Sequence, residues 1–185
     1  MIFVTVGAQM PFDRLCRGVD AWAKARSRSD VFAQIGPTDW KPSHIGFARF
    51  LDPPAFKEKV AQADAVVAHA GMGSIITALE LGKPILVMPR RGDLRETRND
   101  HQVATAQRFQ AQGRVAVAMT DEDLPAALDR LGALRPADTI GARASDQLIA
   151  ALRRFIETPA GSSARSPAPS PTPSRTHTAT ATEHP

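Results

Sequence analysis

Val66-Val67-Ala68-His69-Ala70-Gly71-Met72-Gly73-Ser74-Ile75-Ile76-Thr77-Ala78-Leu79-Glu80-Leu81-Gly82-Lys83-Pro84 is the stretch that decides the fold. An apolar run ends at His69, two glycines separated by a single residue allow a sharp turn, and Ser74, a good cap residue, opens a helical stretch. A second apolar run, Ile85-Leu86-Val87-Met88, follows Pro84. The pattern predicts a buried strand, a glycine turn, a helix and another strand. A helix start at that place offers unpaired backbone N–H groups and the positive end of the helix dipole, so a phosphate or pyrophosphate is its natural guest. Glycine has no Cβ, which lets such a guest approach the main chain closely.

The flanking sequence repeats this alternation. Ile2 to Val6 reads as a first buried strand ended by Gly7, and Pro11 to Arg26 carries Phe12, Leu15, Cys16, Val19, Trp22 and Ala23 at helical spacing. Strands are expected at Val31 to Ile35, His44 to Leu51, Ala65 to Ala68 and Val115 to Met119. Helices are expected at Ala55 to Ala63, Asp100 to Gln112, Asp121 to Leu131 and Thr139 to Ile156. Asp52-Pro53-Pro54 reads as a breaker, and Pro89 to Asn99 as a long polar connection. Such alternation predicts an α/β fold, a doubly wound Rossmann-like parallel sheet, with ligands at the carboxyl ends of the strands. His69 and the Gly7 turn stand at such ends. Trp40, in a loop, either folds back over the core or meets a partner.

With 185 residues, 43% of them hydrophobic, the chain can bury the core of one ordinary domain. That domain is expected over 1–157; from 158 to 185 the composition turns to Pro, Ser, Thr and Ala, and disorder is expected. Cys16 is the single cysteine, which rules out an internal disulfide or a multi-thiolate zinc site and suits a reducing cytosol. No run approaches the roughly 20 apolar residues of a membrane span, and with a strand-like run directly after Met1 no signal peptide is expected. The formal charge of +4 is too mild to argue nucleic-acid binding, since nothing gathers the basic residues beside stacking aromatics. It is compatible with an anionic membrane surface or an anionic donor.

His69-x-Gly71-x-Gly73-Ser74, the helix, Gly82-x-Pro84, the short strand and the later His101-Gln102 pair together resemble the nucleotide-sugar half of a GT-B glycosyltransferase, and above all the C-terminal domain of glycosyltransferase family 28. That group includes the peptidoglycan GlcNAc transferase, the cytosolic subunit of the dolichol-linked GlcNAc transferase and small bacterial exopolysaccharide transferase subunits. Pro89-Arg90-Arg91-Gly92-Asp93 and Arg98-Asn99-Asp100-His101-Gln102 most resemble the last of these, some of which transfer glucuronic acid. Phe3-Val4-Thr5-Val6-Gly7 and Phe12-Asp13-Arg14-Leu15 belong to the likeness, which runs from Met1 to about Ile156.

The resemblance implies a single GT-B half-domain and roles for its residues. His69 is implied to sit beside the donor phosphates and donate a hydrogen bond to the leaving diphosphate; on the residues alone it is either that or a hydrogen-bonded core histidine. The main chain of Gly71, Met72, Gly73 and Ser74 is implied to cradle the phosphoryl groups, with Thr5, Gly7 and Ala8 as a second wall. Many relatives carry a ribose-binding glutamate three residues after the serine, where Thr77 stands here. Glu80, one turn further along, is then either the replacement or a solvent-facing side chain. Gln102, Asn99 and His101 are implied to face the sugar hydroxyls, while Asp100 is alternatively a helix-start charge. Arg90, Arg91, Arg95 and Arg98 form either a solvated loop face or a guanidinium fork for a uronate carboxylate, with Arg91 taken as donor-binding.

These implications converge on the donor-binding subunit of an inverting transferase. It takes a UDP-sugar without metal or other cofactor and serves a lipid-linked acceptor held by a membrane-anchored partner, in exopolysaccharide synthesis. The resemblance thus implies a cytoplasmic protein, peripheral at the inner face of the membrane through that partner. The acceptor's general base is expected in the partner, so the isolated chain should bind UDP yet transfer poorly. Robust transfer by the purified chain alone, in an assay of donor consumption, would contradict this. A non-catalytic nucleotide-sugar module and a nucleotide-sugar epimerase are the alternatives, the epimerase disfavoured by length.

Overall fold

The computed structural model describes residues 1–139 and 146–157. Four β-branched runs make the central strands: β1 (Ile2–Thr5), β2 (Val31–Gln34), β4 (Ala65–His69) and β5 (Ile85–Met88). They are almost wholly buried, as strands covered on both faces must be. The edges are the short β3 (Gly46–Ala48) and β6 (Ala116–Val117). Every pairing is parallel and the order is β3-β2-β1-β4-β5-β6, the doubly wound arrangement expected from the alternation.

Helices α1 (Asp13–Ala25), α2 (Pro53–Gln62), α3 (Met72–Glu80), α4 (His101–Ala111) and α5 (Asp123–Asp129) cover the sheet. Because side chains alternate along a strand, β1 feeds two cores. Ile2, Val4 and Val6 pack with Leu15 and Val19 of α1 and with Leu124 and Leu128 of α5. Phe3 packs on the other face with Val66, Ile75, Leu79 and Ala106, from β4, α3 and α4. Its ring meets Phe56 of α2 edge-on, with centroids 5.6 Å apart. A second unit of the chain contributes α6 (Asp146–Glu157), whose Leu148, Leu152 and Phe155 recur at one-turn spacing.

The structure corrects several boundaries. Both prolines of Asp52-Pro53-Pro54 lie inside the first turn of α2, where their missing N–H groups cost nothing, and Asp52 caps that helix by accepting from Ala55 N at 2.8 Å. The strand expected at His44 to Leu51 shrinks to three residues for a reason that periodicity does not show. Asp20 of α1 is buried, and its carboxylate accepts from the backbone N–H groups of Ser43, His44 and Ile45 and from the Ser43 hydroxyl, at 2.9–3.0 Å. Burial by itself raises the pKa of this carboxyl, but the converging donors outweigh it and hold the group below the ordinary aspartate value. The chain from 43 to 45 is thus pinned to α1 before β3 can begin. Trp40 folds back on the core, with the Arg17 guanidinium 5.0 Å from its ring. The tail expected to be disordered from 158 onward lies outside the described residues.

Candidate functional site

A doubly wound sheet opens a crevice where strand order reverses, because the connections from neighbouring strands leave in opposite directions. Here β1 lies between β2 and β4, so the reversal falls between the ends of β1 and β4. Gly7 follows one of these strands and His69 ends the other. Thr5 and Ala68 are register partners, as are His69 and Met88 of β5.

The His69 imidazole fills the gap between two glycine turns. A Cβ on Gly7 would stand 3.0 Å from His69 Cε1, and one on Gly71 only 2.1 Å from Nε2. Gly7 has φ +75°, so its lack of a side chain serves both conformation and contact. Gly71 has the ordinary φ −87°, ψ 136°, so there the contact alone demands glycine. The ring is largely buried, and its Nδ1 has no hydrogen-bonding partner among the described residues. Burial first, and the nearby Arg90 guanidinium second, push its pKa from 6.5 down to about 4, against an upward pull from the Thr5 backbone. His69 is therefore neutral at pH 7.

Gly71 occupies the N-cap position of α3 and has no side chain to cap it. The first N–H groups of the helix, on Met72, Gly73 and Ser74, lie ahead of any intrahelical acceptor; the first backbone bond runs from Ile75 N to Gly71 O at 3.2 Å. A Cβ on Gly73 would meet nothing within 4 Å, so the fold leaves open space beside those amides. The expected start at Ser74 is corrected here: Ser74 is buried in the third helical position and caps nothing.

Other expected site residues fall differently. Thr5 is fully buried and its hydroxyl accepts from Gly7 N at 3.2 Å, so it shapes the turn rather than lining a surface; Ala8 is exposed on that turn. The Thr77 hydroxyl bonds back to Gly73 O at 2.9 Å. Glu80 is exposed at the last position of α3, about 12 Å along the axis from Met72 at 1.5 Å per residue, so as a ribose ligand it would have to meet the nucleotide well beyond the helix start. Gln102 is buried and accepts from Arg90 N at 3.2 Å through Oε1, so its carbonyl is already committed inside the protein. Asn99 and His101 are exposed and bond to each other, while Asp100 accepts from Gly92 N at 2.8 Å.

The four arginines stand in different environments. Arg90 is buried, Arg91 pairs with Asp93 through both carboxylate oxygens at 3.0 and 2.7 Å, and Arg95 and Arg98 are exposed. Nothing in the alternation signals Arg14, which braces the 89–99 connection: it donates to Glu96 at 2.7 and 2.8 Å, to Asp121 at 2.7 Å and to Pro89 O at 3.1 Å. A depression of about 430 Å³ lies beside α4, lined by Pro89, Arg91, Asp100, Val103 and Met119 among others. A cavity of about 490 Å³ opens at the amino-terminal edge of the sheet around Trp22, Arg26, Asp64 and Asp129, remote from His69. Cys16 is buried, and desolvation pushes its thiol up to about 12, which leaves it no nucleophilic character. Among the described residues no three His, Cys, Asp or Glu side chains gather in a way that could hold a metal ion, and no helix is long and apolar enough to cross a membrane.

Residues 1–152 match the family described as the glycosyltransferase family 28 C-terminal domain. Over 126 residues the chain is 31% identical to the UDP-N-acetylglucosamine transferase subunit ALG13 of Homo sapiens, covering 62% of this chain and 10% of that protein. The chain thus spans about a tenth of the length of that relative. The NMR solution structure of ALG13 superposes with a TM-score of 0.53 at 21% identity, over 73% of this chain and 87% of that one. The crystal structure of Methanocaldococcus jannaschii UDP-GlcNAc 2-epimerase in complex with UDP-GlcNAc and UDP gives 0.54 at 11% identity, over 83% of this chain and 45% of that one. At these identities the structural likeness is one of fold.

Proposed function

The chain belongs to the glycosyltransferase family 28 C-terminal domain family, and from that premise we propose that it is the donor-binding, catalytic subunit of an inverting UDP-sugar glycosyltransferase. One observation carries the proposal: the His69 imidazole is held between the Gly7 turn and the uncapped start of α3, with open space beside Gly73. The diphosphate rests on the amides of Met72, Gly73 and Ser74, where the helix dipole favours negative charge. An acceptor hydroxyl oxygen attacks the anomeric carbon, the bond from that carbon to the diphosphate oxygen breaks, and the electron pair leaves with UDP. The amides and His69 stabilise the charge that develops on the leaving oxygen. The hydroxyl proton passes to a base on the acceptor-binding partner, as the GT-B resemblance implies.

The acceptor is a lipid-linked saccharide presented by a membrane-anchored subunit, and the sugar is a hexose, with glucuronate suggested by the Pro89-Arg90-Arg91 likeness. Because Arg90 is buried and Arg91 is paired with Asp93, the exposed Arg95 and Arg98 are the better guanidinium candidates for a uronate carboxylate. Met10, Phe50, Met72 and Leu94 are exposed apolar side chains, all on segments at the carboxyl end of the sheet, and they favour a protein partner docking over the crevice.

Gly73→Ala tests the donor site. The fold has room for the methyl group, and alanine is the better helix former, so stability should hold or rise by up to about 1 kcal/mol. A diphosphate lying against the main chain has no such room. UDP affinity, measured by calorimetry, should fall tenfold or more, about 1.4 kcal/mol. Unchanged UDP affinity in a stable Gly73→Ala protein would remove the diphosphate from this turn.

A further inference from the structure

Arg90 is the charged side chain most fully taken from water near the crevice, being 5% exposed, and among the described residues it forms no ion pair with a carboxylate. Its Nη2 donates to two carbonyls of the turn between β1 and α1, Val6 O at 2.9 Å and Met10 O at 2.6 Å. The guanidinium lies 5.2 Å from the Phe12 ring centroid, and Nε, also buried, has no hydrogen-bonding partner among the described residues. Glu96, the carboxylate whose charge acts on it, is spent elsewhere: it takes Arg14 at 2.7 and 2.8 Å and Arg91 N at 3.0 Å. Arg90's own backbone N–H donates to Gln102 at 3.2 Å. One residue therefore ties the Gly7 turn, the end of β5 and the start of α4 together.

A buried cation whose partners are neutral carbonyls is costly, and a methionine of similar length would fill the space without that cost. The cation becomes intelligible if an anion comes to rest nearby. The Arg90 charge is felt at His69, whose protonation it opposes, so it is also felt by whatever occupies the crevice beyond the imidazole. We propose that Arg90 is a positioning residue for the nucleotide diphosphate: it locks the Val6–Met10 turn against His69 and supplies a standing positive charge behind the crevice. It acts through the turn and the field and touches no substrate atom. The inference rests on the donor assignment given above and adds to it a residue that the motif does not contain.

The test compares the full chain with Arg90→Met and Arg90→Lys, reading UDP affinity by calorimetry, backbone amide exchange at Gly7–Met10 by NMR, and stability in urea. In Arg90→Met the Gly7–Met10 amides should exchange at least tenfold faster relative to those of β4, and UDP affinity should fall at least tenfold. Arg90→Lys, which keeps the charge and a donor for the carbonyls, should restore affinity to within about threefold of the wild type. Should Arg90→Met fail to fold, Arg90→Gln, with one donor group and no charge, takes its place with the same expected affinity loss. Exchange and affinity within twofold of the wild type in Arg90→Met would overturn the inference. So would Lys and Met variants that are equally weak in proportion to their lost stability, which is the signature of packing alone. If the wild-type chain itself binds no UDP, the donor assignment falls and takes the diphosphate role of Arg90 with it, an outcome distinct from normal wild-type binding that Arg90→Met leaves intact.

Discussion

Gly71→Ala should destabilise the protein by about 1–3 kcal/mol, the usual cost of overpacking, and reduce UDP affinity tenfold or more. The backbone at 71 suits any residue, so the whole penalty comes from the new methyl group, which would lie 2.1 Å from His69 Nε2 and 2.8 Å from Cδ2 and Cε1. On its other side the ring faces Gly7, where there is no room even for a methyl group, so relief comes from swinging out across the crevice. Because one contact causes the damage, removing its other half should cure it. In a His69→Ala background, Gly71→Ala should cost almost nothing, a coupling of about 1–3 kcal/mol in a double-mutant cycle read by urea denaturation. Gly7→Ala serves as the contrast: at φ +75° its backbone penalty of roughly 1–2 kcal/mol should persist whether or not the imidazole is present. Additive behaviour of Gly71→Ala and His69→Ala would mean that the ring does not occupy the gap between the turns.

The core of this site was legible in the sequence because its parts are consecutive. A strand, two glycines and a helix between residues 65 and 80 spell out one strand-turn-helix unit, and the alternation points to a doubly wound sheet without fixing its strand order, which more than one such sheet would satisfy. What could not be read are interactions closed over long separations. Arg14 and Glu96 are 82 residues apart, Arg90 and Val6 84, so no local pattern distinguishes the buried arginine of Pro89-Arg90-Arg91 from its half-buried neighbour. The place of Glu80 relative to the helix start was hidden for a different reason. Spacing along a helix tells which residues share a face, but the distance to a ligand depends on where the helix begins, and α3 begins at Met72 rather than Ser74. Asp20 carries no local signal, and only the fold reveals the three consecutive N–H groups that it gathers.

The electrostatics of His69 set the last expectation. Its pKa of about 4 in the folded chain lies below the 6.5 of an unperturbed imidazole, so between those values the unfolded chain binds the extra proton. The stability this contributes is fully present above pH 6.5 and is lost as pH falls toward 4, about 3 kcal/mol in all. His69→Gln should flatten that window in a comparison of unfolding free energies against pH; the carboxylates titrate in both proteins and cancel in the difference. A diphosphate beside the ring reverses the balance, since an adjacent anion favours the imidazolium that burial and Arg90 oppose. UDP-glucose is the probe of choice, because both its phosphates are esterified and it lacks the terminal phosphate ionisation near pH 6 that free UDP carries. Its affinity for the wild-type chain should rise at least fivefold between pH 7 and pH 5 while staying level for His69→Gln, as calorimetry at each pH can determine. A flat profile in both proteins would place the diphosphate out of reach of the imidazole, leave the helix amides as the only stabilisers of the leaving group, and reduce His69 to the wedge that keeps the two glycine turns apart.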